Sequence, residues 1–422
     1  MSTLTITQAS CADDYDPNSM PVAKARAFIH RFLTPVQGTL RVPVRSALGR
    51  VLAEDILSPV DVPSHRNSAM DGWAMRGADL AADRESTLEE IGVSFAGKPF
   101  GGRVAAGQCV RIMTGGVVPE GADTVVMQER AKAQAKKVTF AAGQKTGQNV
   151  RQAGEDLKRG SVALKRGRMA RPAELGLIAS LGIGEVAVYR PLRVAFFSTG
   201  DELKGVGTPL GEGEIYDSNR YTIHGMLTRL GCEVLDMGVV RDDPEALERA
   251  FAEAAASADV VITSGGVSVG EADFVKGMLG KLGEVVFWKI AMKPGRPLAY
   301  GKIGGAHFFG LPGNPVSVMV TFYQFVRDAL LVLMGADPVE PVPTFTATCT
   351  GKLRKAPGRT EFQRGVLTRG PDGRLTVRPT GEQGSGILKS MSDANCFIIL
   401  GDDTGNVEAG TTVEVQLLEG IV

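Results

Sequence analysis

Acidic, hydroxyl and glycine residues follow three short apolar runs in the middle of the chain. Glu202 comes after the first run, Asp242 after the second, and the glycine-rich segment 264–273, which contains Asp273, after the third. Glycines let a phosphate approach the backbone closely. Carboxylates near a phosphate are sensible only when a divalent cation lies between them, because like charges repel. The sequence therefore predicts a phosphorylated ligand bridged by Mg²⁺.

Two further loops add positive charge and a helix start. Lys289 and Lys293 lie within and just after a fourth apolar run, and a fifth run leads into the segment 310–315, where Asn314 precedes a proline. Lysines attract an anionic ligand, and the free N–H groups at a helix start can bind one. Taken singly, each loop is also explained by solvated lysine stems or by ordinary helix-start chemistry. The prediction therefore depends on the loops meeting at one place.

Apolar runs that alternate with helical patterns can bring these loops together. The runs predict strands at 193–198, 233–240, 259–263, 285–290 and 307–311, and the helical patterns lie at 217–230, 244–256, 272–282 and 315–334. Alternation of strands with long helices indicates βαβ units, and hence an open, doubly wound parallel sheet with helices on both faces. Ligands of such sheets bind beyond the carboxyl ends of the strands, which is where all five loops lie.

The rest of the chain predicts a multidomain protein of the α/β plus β class. The predicted units are a flexible N-terminus (1–20), an elongated linker domain in two pieces (21–57 and 150–190), a small β domain inserted between these pieces (58–149), the α/β domain (191–337) and a C-terminal β-barrel (338–422). The inserted domain and the barrel are inferred from short β-rich runs separated by Gly and Pro turns.

Composition excludes several classes of function. The 47 basic and 47 acidic residues cancel, so no global field favours nucleic acid or a membrane surface. The five cysteines and four histidines are scattered, which argues against a disulfide framework and against zinc. The apolar windows are too short to cross a bilayer, and the N-terminus lacks the features of a secretory signal. We expect a cytoplasmic protein without nucleic-acid or membrane partners.

Three segments outside the α/β region are dense in polar residues and glycine. They are 67–74, 111–116 and 151–156. From residue types alone, a turn or hairpin explains each of them better than a ligand site does, because Asp-Gly and Gly-Gly pairs are common in turns.

Seven short motifs occur along the chain: SAMDG at 68–72, MTG at 113–115, GED at 154–156, STGDEL at 198–203, SGGVS at 264–268, MKPG at 292–295 and LPGNP at 311–315. In type and order they resemble the motifs of the molybdopterin molybdenumtransferases, the molybdenum insertase family that includes the E domain of gephyrin. From about residue 20 onward the chain resembles this family. The resemblance implies an elongated homodimer of four-domain subunits, with each active site between the α/β domain and a β domain of the partner subunit.

The resemblance also implies which residues form the site. On the partner side of the cleft the matching residues are Asp71, Thr114, Arg151 and Asp156. On the side that binds the pterin, the phosphate and the metal, the matching residues are Ser268, Lys289 and Lys293, together with the magnesium ligands Glu202, Asp242 and Asp273. The loops of the same side contribute Gly265, Gly266, Gly313 and Asn314. Pro294, Ser317, Ser385 and Arg364 match positions near the oxyanion.

The implied activity is insertion of molybdate into adenylylated molybdopterin with release of AMP, assisted by Mg²⁺. A molybdopterin adenylyltransferase and molybdoenzymes are then expected protein partners. Two alternatives stay open, because the α/β region alone also resembles the molybdopterin adenylyltransferases, which use ATP, and the gephyrin E domain also acts as a receptor-binding scaffold. The full set of carboxylates and lysines favours an enzyme over a scaffold, since clustered like charges are costly to keep.

Overall fold

The computed structural model describes residues 5–12, 16, 18–266 and 272–418. Two helices begin the chain, α1 (Ile6–Ala12) and α2 (Val22–His30). Ile6 is buried, and its backbone N–H donates to Oε2 of Glu284 at 2.8 Å. Ile6 and Ala9 are three residues apart, so they share one helix face, and that face packs on the same hydrophobic cluster as Phe28 of α2. Helix α1 is therefore docked on the core, and the flexibility expected for residues 1–20 stays a prediction.

Three short strands lead into an inserted sheet. They are β1 (Thr39–Pro43), β2 (Ile56–Leu57) and β3 (Asn67–Ser68). The inserted strands are β4 (Gly72–Met75), β5 (Ser86–Ser94), β6 (Gln108–Ile112), β7 (Thr124–Met127), β8 (Ala131–Gln134) and β9 (Lys137–Phe140). They form one sheet in the order β7-β4-β6-β5-β9-β8. Its two hydrophobic clusters consist of residues between 73 and 150, so this sheet has a core of its own.

The chain then returns along the three leading strands. Strand β10 (Val150–Arg151) pairs with β3, β11 (Val162–Leu164) with β2, and β12 (Glu185–Tyr189) with β1, all antiparallel. Helix α3 (Pro172–Ser180) lies between β11 and β12 and begins with proline, whose missing N–H has no helical partner at that position. These pairings bracket the inserted sheet. The domain limits given above stay predictions.

The central region folds around a six-stranded sheet. Its elements are β13 (Arg193–Thr199), β14 (Leu203–Lys204), β15 (Ile215–Tyr216), α4 (Ser218–Arg229), β16 (Glu233–Val240), α5 (Pro244–Ser257), β17 (Val260–Ser264), α6 (Ala272–Leu282), β18 (Gly283–Lys289), β19 (Met292–Lys293), β20 (Pro297–Ile303) and β21 (Ala306–Leu311). The sheet order is β16-β13-β17-β21-β20-β18. Strands β16, β13, β17 and β21 are parallel, whereas β20 is antiparallel to both of its neighbours.

Strand β20 makes the sheet mixed instead of wholly parallel, which corrects the expectation from the sequence. The chain leaves β18, reverses through residues 290–296, and runs back as β20 before a two-residue connection leads into β21. Because β20 is antiparallel to both β18 and β21, these two strands still run in the same direction. Their carboxyl ends therefore stay at the same edge of the sheet.

Helices cover both faces of the sheet because its strands are apolar on both sides. Phe196 of β13 belongs to the hydrophobic cluster shared with α4, and the next residue, Phe197, belongs to the cluster shared with α5. The rings of Phe197 and Phe251 of α5 have centroids 5.1 Å apart. Burial on both faces is typical of a doubly wound sheet, so the predicted fold class is confirmed.

The helix that follows β21 is a core helix. Helix α7 (Pro315–Thr321) continues through a π-helical turn (Phe322–Val326) into α8 (Arg327–Leu333). Within the described part of the chain it is the one helix with the length and apolar composition of a membrane span, 19 residues with a mean hydropathy of 1.5. Its most apolar window is 78% buried inside the protein. Packing in the core thus accounts for its composition.

The C-terminal residues form a closed barrel. Its elements are β22 (Thr344–Cys349), β23 (Thr360–Arg369), β24 (Leu375–Pro379), α9 (Lys389–Asp393), β25 (Cys396–Leu400) and β26 (Thr412–Leu417). The strands pair in the order β23-β24-β22-β26-β25, and β25 closes the ring on β23. The short helix α9 departs from the β structure expected throughout. Strand β19 pairs with β23 and so joins the barrel to the α/β region.

His307 in β21 makes the fold sensitive to acid. Burial, with a smaller effect of Lys302, lowers the pKa of His307 from 6.5 to about 4. Between these pH values the unfolded chain binds a proton that the folded chain excludes, so stability falls as the pH is lowered from 6.5 towards 4. We expect this residue to remove about 2 kcal/mol of unfolding free energy between pH 7 and pH 5.

Urea unfolding of His307→Gln at both pH values checks this expectation. The variant should lose less stability on acidification than the wild type, whereas His224→Gln, which changes an exposed histidine, should lose as much as the wild type. An undiminished loss in His307→Gln would contradict the assignment.

Candidate functional site

The loops after β13, β17 and β21 meet at the carboxyl edge of the sheet. The strand register places Ser198 beside Ser264, and Ser264 beside Leu311. Gly265 has a φ of +93°, and a Cβ there would stand 2.6 Å from the carbonyl oxygen of Thr199. Both the backbone conformation and the close approach require glycine at this position.

Gly266, Gly313 and Asn314 lie at the same edge. Gly266 has a φ of +67°, and a Cβ on Gly313 would lie 3.9 Å from the Cα of Gly265. The loops after β17 and β21 are therefore neighbours. Asn314 is exposed and occupies the N-cap position of α7 without a side-chain cap hydrogen bond. The glycine loops thus converge as the strand order requires.

Asn219 of α4 holds this edge together, and sequence reasoning missed it. Its Nδ2 donates to Oγ of Ser264 at 2.7 Å and to the carbonyl oxygen of Gly313 at 2.6 Å. One side chain therefore bridges the ends of β17 and β21. The only sequence signal was its place near the start of a helix. Asn219 and Asp217 are buried, and each keeps one oxygen atom without a hydrogen-bond partner in the described part of the chain.

Carboxylates lie at the β16 end of the edge. Glu202 and Asp242 are exposed and follow the adjacent strands β13 and β16. The backbone N–H of Asp242 donates to Oδ1 of Asp201 at 3.4 Å, so these two loops are in contact. A Cβ on Gly200 would lie 2.6 Å from Oε2 of Glu202, which shows that the Glu202 side chain folds back over its own loop.

The third predicted metal ligand is only partly described. Asp273 is the second residue of α6, and its side chain lies outside the described part of the structure, as does the whole of Ser268. Among the described side chains, no group of three His, Cys, Asp or Glu residues is arranged to hold a metal ion. The magnesium site formed by Glu202, Asp242 and Asp273 therefore stays a prediction.

Lysines lie at the opposite end of the edge. Lys289 ends β18, and Lys293 lies in β19, where its Nζ is 3.4 Å from Oε1 of Glu361 in the barrel. In the sheet order β18 is four strands from β13, which at about 4.8 Å per strand places their ends roughly 19 Å apart. The edge therefore runs from an acidic end, through glycine loops, to a basic end.

The residues expected near the oxyanion lie around the start of α7. Pro294 is buried, and a Cβ on the following Gly295 would lie 3.4 Å from the carbonyl oxygen of Ser317. Ser317 is buried in α7. The carbonyl oxygen of Ser385 in the barrel accepts a hydrogen bond from the backbone N–H of Val316 at 3.1 Å. The structure therefore brings Pro294, Ser317 and Ser385 together.

Arg364 is placed differently from these three. Its side chain is 1% exposed, and its guanidinium donates to Oγ of Ser390 at 3.0 Å and to the carbonyl oxygen of Gly384 at 2.9 Å. Burial lowers the pKa of Arg364 to about 10. Within the barrel Arg364 fixes the segment that carries Ser385. A direct contact with substrate stays a prediction, and this burial does not favour it.

The three polar segments outside the α/β region also converge. Ser68 pairs with Val150 in β10 and exchanges backbone hydrogen bonds with Gly115 and Gly116. In the same pairing Arg151 lies opposite Asn67. All three segments therefore meet around β3, although sequence reasoning favoured separate turns.

Asp71 and Thr114 form a direct contact at this meeting point. The backbone N–H and the hydroxyl of Thr114 donate to Oδ1 of Asp71 at 2.7 and 2.8 Å. These bonds, and the charge of Arg111, lower the pKa of Asp71 below its ordinary value. Arg151 and Asp156 are exposed, and the backbone N–H of Asp156 donates to the carbonyl oxygen of Val62.

The Asp71 contact can be tested by titration. Thr114→Val removes the hydroxyl donor and keeps the backbone N–H, so we expect the pKa of Asp71 to rise towards its ordinary value. An NMR titration of the Asp71 carboxyl measures it, with Thr139→Val, a threonine of the same sheet, as the control. An unchanged Asp71 pKa in Thr114→Val would show that the hydroxyl contributes nothing.

Three family models match consecutive parts of the chain. They are the MoeA N-terminal region (domain I and II) over residues 20–182, a probable molybdopterin binding domain over residues 195–331, and the MoeA C-terminal region (domain IV) over residues 346–418. The glycine-lined sheet edge lies in the second match. These three matches define the class of the protein, a MoeA-type protein of molybdenum cofactor biosynthesis built around a probable molybdopterin-binding domain.

Relatives of known name give the family. The molybdopterin molybdenumtransferase of Haemophilus influenzae is 49% identical over 374 residues, which are 88% of this chain and 92% of that protein. The molybdopterin molybdenumtransferase of a Nostoc species is 39% identical over 314 residues, which are 72% of this chain and 72% of that protein. The crystal structure of the molybdopterin biosynthesis MoeA protein from Pyrococcus horikoshii has a TM-score of 0.79 and 30% identity, covering 95% of this chain and 100% of that one. The chain belongs to the molybdopterin molybdenumtransferase (MoeA) family, and is accordingly a transferase.

Proposed function

We propose that this protein inserts molybdenum from molybdate into adenylylated molybdopterin and releases AMP, with the help of Mg²⁺. The observation that carries the proposal is the polarity of the sheet edge. Carboxylates lie at one end, lysines at the other, and glycine loops held by Asn219 between them. The acidic end suits a phosphate bridged by a cation, and the basic end suits an oxyanion. An elongated ligand that joins a phosphoanhydride to a metal-receiving group matches both ends.

Glu202 and Asp242 suit magnesium by their chemistry. They are exposed carboxylates that follow adjacent strands, and their two loops are in contact. Mg²⁺ is usually held by one or two carboxylates together with substrate phosphates. Glu202 and Asp242, with Asp273, would hold it, and the ion would supply neutralisation of the phosphate charge.

In this proposal the protein's own residues have separate roles in AMP release and in molybdate binding. Asp273, at the first turn of α6 beside the glycine loop, orients the water that attacks the phosphoanhydride, so that the phosphorus–oxygen bond breaks and AMP leaves. Lys293 neutralises the molybdate, and Ser385 donates hydrogen bonds to its oxygen atoms. Pre-positioned donors of this kind stabilise charge without reorganisation during the reaction.

Asp71, Thr114, Arg151 and Asp156 are proposed to come from the partner subunit of a homodimer. Asp71 and Thr114 lie just beyond the ends of β4 and β6 in the inserted sheet, which packs around its own core. An exposed apolar segment beside the α/β site supports such a contact, since exposed apolar groups often mark interfaces. Its large exposed residues are Val206, Leu210, Ile215, Tyr216 and Tyr221.

Two rival functions have a common test. An adenylyltransferase would consume ATP and release pyrophosphate, yet about two-thirds of this chain lies outside the α/β region. A receptor-binding scaffold would release neither AMP nor pyrophosphate.

We place the enzyme in the cytoplasm, with a molybdopterin adenylyltransferase supplying its substrate and molybdoenzymes accepting its product.

The purified protein should therefore be incubated with adenylylated molybdopterin, molybdate and Mg²⁺, and separately with molybdopterin, ATP and Mg²⁺. We expect AMP in the first mixture, none when Mg²⁺ is replaced by EDTA, and no pyrophosphate in the second. Pyrophosphate in the second mixture would favour the adenylyltransferase. The absence of both products would favour the scaffold.

A further inference from the structure

Glu361 is a buried carboxylate at the place where the barrel meets the α/β region. It lies in β23, opposite Lys293 of β19, and its side chain is 3% exposed. A carboxylate withdrawn from water to this degree needs a charged or hydrogen-bonded partner, because its desolvation is costly. Among the residues that the structure describes, Lys293 is the cation within ion-pair distance of it.

The position of Glu361 in its strand places it on the inner face of the barrel. Side chains two residues apart lie on the same face of a strand, so Glu361, Gln363 and Gly365 share one. A Cβ on Gly365 would touch Val377, Cys396 and Ile398, which belong to the barrel core. Glu361 therefore lies at the end of the barrel interior that adjoins β19.

Gln363 fixes the carboxylate from the other side. Its side-chain amide nitrogen, Nε2, donates to Oε2 of Glu361 at 3.0 Å and to the carbonyl oxygen of Arg354 at 2.9 Å. Gln363 is itself buried. The orientation of Glu361 is thus set by the barrel, and Oε1 is left for Lys293.

Lys293 makes this buried contact while about half of its own side chain stays exposed to solvent. Its Nζ lies 3.4 Å from Oε1 of Glu361, while 47% of its side chain remains exposed. An ammonium group has three N–H donors, so one directed at Glu361 leaves two for a ligand. We propose that Glu361 is a positioning residue that holds the ammonium group of Lys293 in place for the oxyanion.

This assignment gives the barrel a part in the reaction. It rests on the proposed function, because it takes Lys293 as the group that binds molybdate. The chain of contacts runs from Gln363 through Glu361 to Lys293, and so from the barrel to the basic end of the sheet edge. Loss of the carboxylate should leave Lys293 charged and mobile, and a misplaced binding group is costly even when it is present.

A double-mutant cycle between positions 361 and 293 tests the tether. The variants are Glu361→Met, Lys293→Met and the pair, with Glu361→Gln as the conservative change that keeps shape and an acceptor oxygen. Glu408→Gln is the matched control, since it breaks an exposed Lys–Glu contact of the same barrel, 2.6 Å from Lys352. AMP release at varied molybdate, affinity for inorganic molybdate by calorimetry, and melting temperature are measured for each.

We expect Glu361→Met to lower kcat/KM for molybdate roughly 10- to 100-fold, Glu361→Gln to recover much of that loss, and Glu408→Gln to match the wild type. In the Lys293→Met background, Glu361→Met should have little further effect, because its action passes through Lys293. Wild-type kinetics in Glu361→Met would overturn the proposal. So would an equal loss in both backgrounds, which is the result of a merely structural role.

Two further readouts keep the proposal separate from the proposed function. If the wild type releases no AMP, the proposed function fails, and the same cycle is read from molybdate affinity and from melting temperature. Coupling between the two positions should persist in the melting temperatures, with the paired variant more stable than Lys293→Met alone, since that single change leaves the buried Glu361 without a charged partner. Additive melting temperatures would overturn the tether. If Glu361→Met does not fold, Glu361→Gln replaces it in the cycle, with a several-fold loss expected only where Lys293 is present.

Discussion

AMP release is expected to fall by about a hundredfold or more when Asp273 is replaced by Asn, because the group proposed to orient the attacking water loses its charge. Binding of adenylylated molybdopterin should persist, since the glycine loops and Asn219 are unchanged. Single-turnover AMP release gives the rate, and equilibrium binding of the substrate gives the affinity.

Glu245→Gln is the matched control for Asp273→Asn. Glu245 is the second residue of α5 and is exposed, as Asp273 is the second residue of α6. A general effect of negative charge at helix starts would slow both variants, whereas a specific role slows Asp273→Asn alone. Unchanged AMP release in Asp273→Asn would refute the role given to this residue.

Replacement of Lys293 by Met is expected to raise the molybdate concentration needed for half-maximal rate by roughly a hundredfold, the cost of losing a charged partner to an oxyanion. Affinity for adenylylated molybdopterin should change much less, because the phosphate-bearing part is proposed to lie at the other end of the sheet edge. Steady-state AMP release at varied molybdate measures the first quantity and equilibrium binding the second.

Lys352→Met serves as the control for charge alone. Lys352 is an exposed lysine of the barrel paired with Glu408, so its loss changes net charge equally without touching the edge. A normal molybdate response in Lys293→Met would remove this lysine from the oxyanion site and would also remove the basis for a tether by Glu361.

The convergence of the glycine loops could be predicted because it follows from local patterns. Parallel strands joined by helices bring their carboxyl ends to one edge whatever the details of packing. Gly265 and Gly313 are neighbours for that reason. Once the strand order is known, the strand that precedes each loop also places the carboxylates at one end of the edge and the lysines at the other.

Strand β20 was missed although the sequence carries its signal. Gly304 and Gly305 separate β20 from β21, and a glycine pair between two apolar runs is typical of a β-hairpin. No strand is predicted between residues 290 and 307, a stretch that contains the proline at position 297. Strand β20 begins at that proline, which is a position where the missing N–H is tolerated.

The contacts of Asn219 and Glu361 could not be read from the sequence, because their partners are remote in the chain. Asn219 binds residues 45 and 94 positions away, and Glu361 is 68 positions from Lys293. Hydrophobic periodicity carries no information about contacts between residues so far apart in the chain. The three segments around β3 were likewise interpreted as separate turns, because they are joined only by the pairing of β3 with β10 and by the backbone hydrogen bonds of Ser68 to Gly115 and Gly116.

A crystal structure of the protein with Mg²⁺, molybdate and adenylylated molybdopterin tests the central claim most directly. We expect the phosphates to lie along the glycine loops, the cation among Glu202, Asp242 and Asp273, and the molybdate against Lys293 and Ser385. Ligands bound away from this sheet edge, or an edge whose acidic and basic ends touch no part of them, would contradict the account.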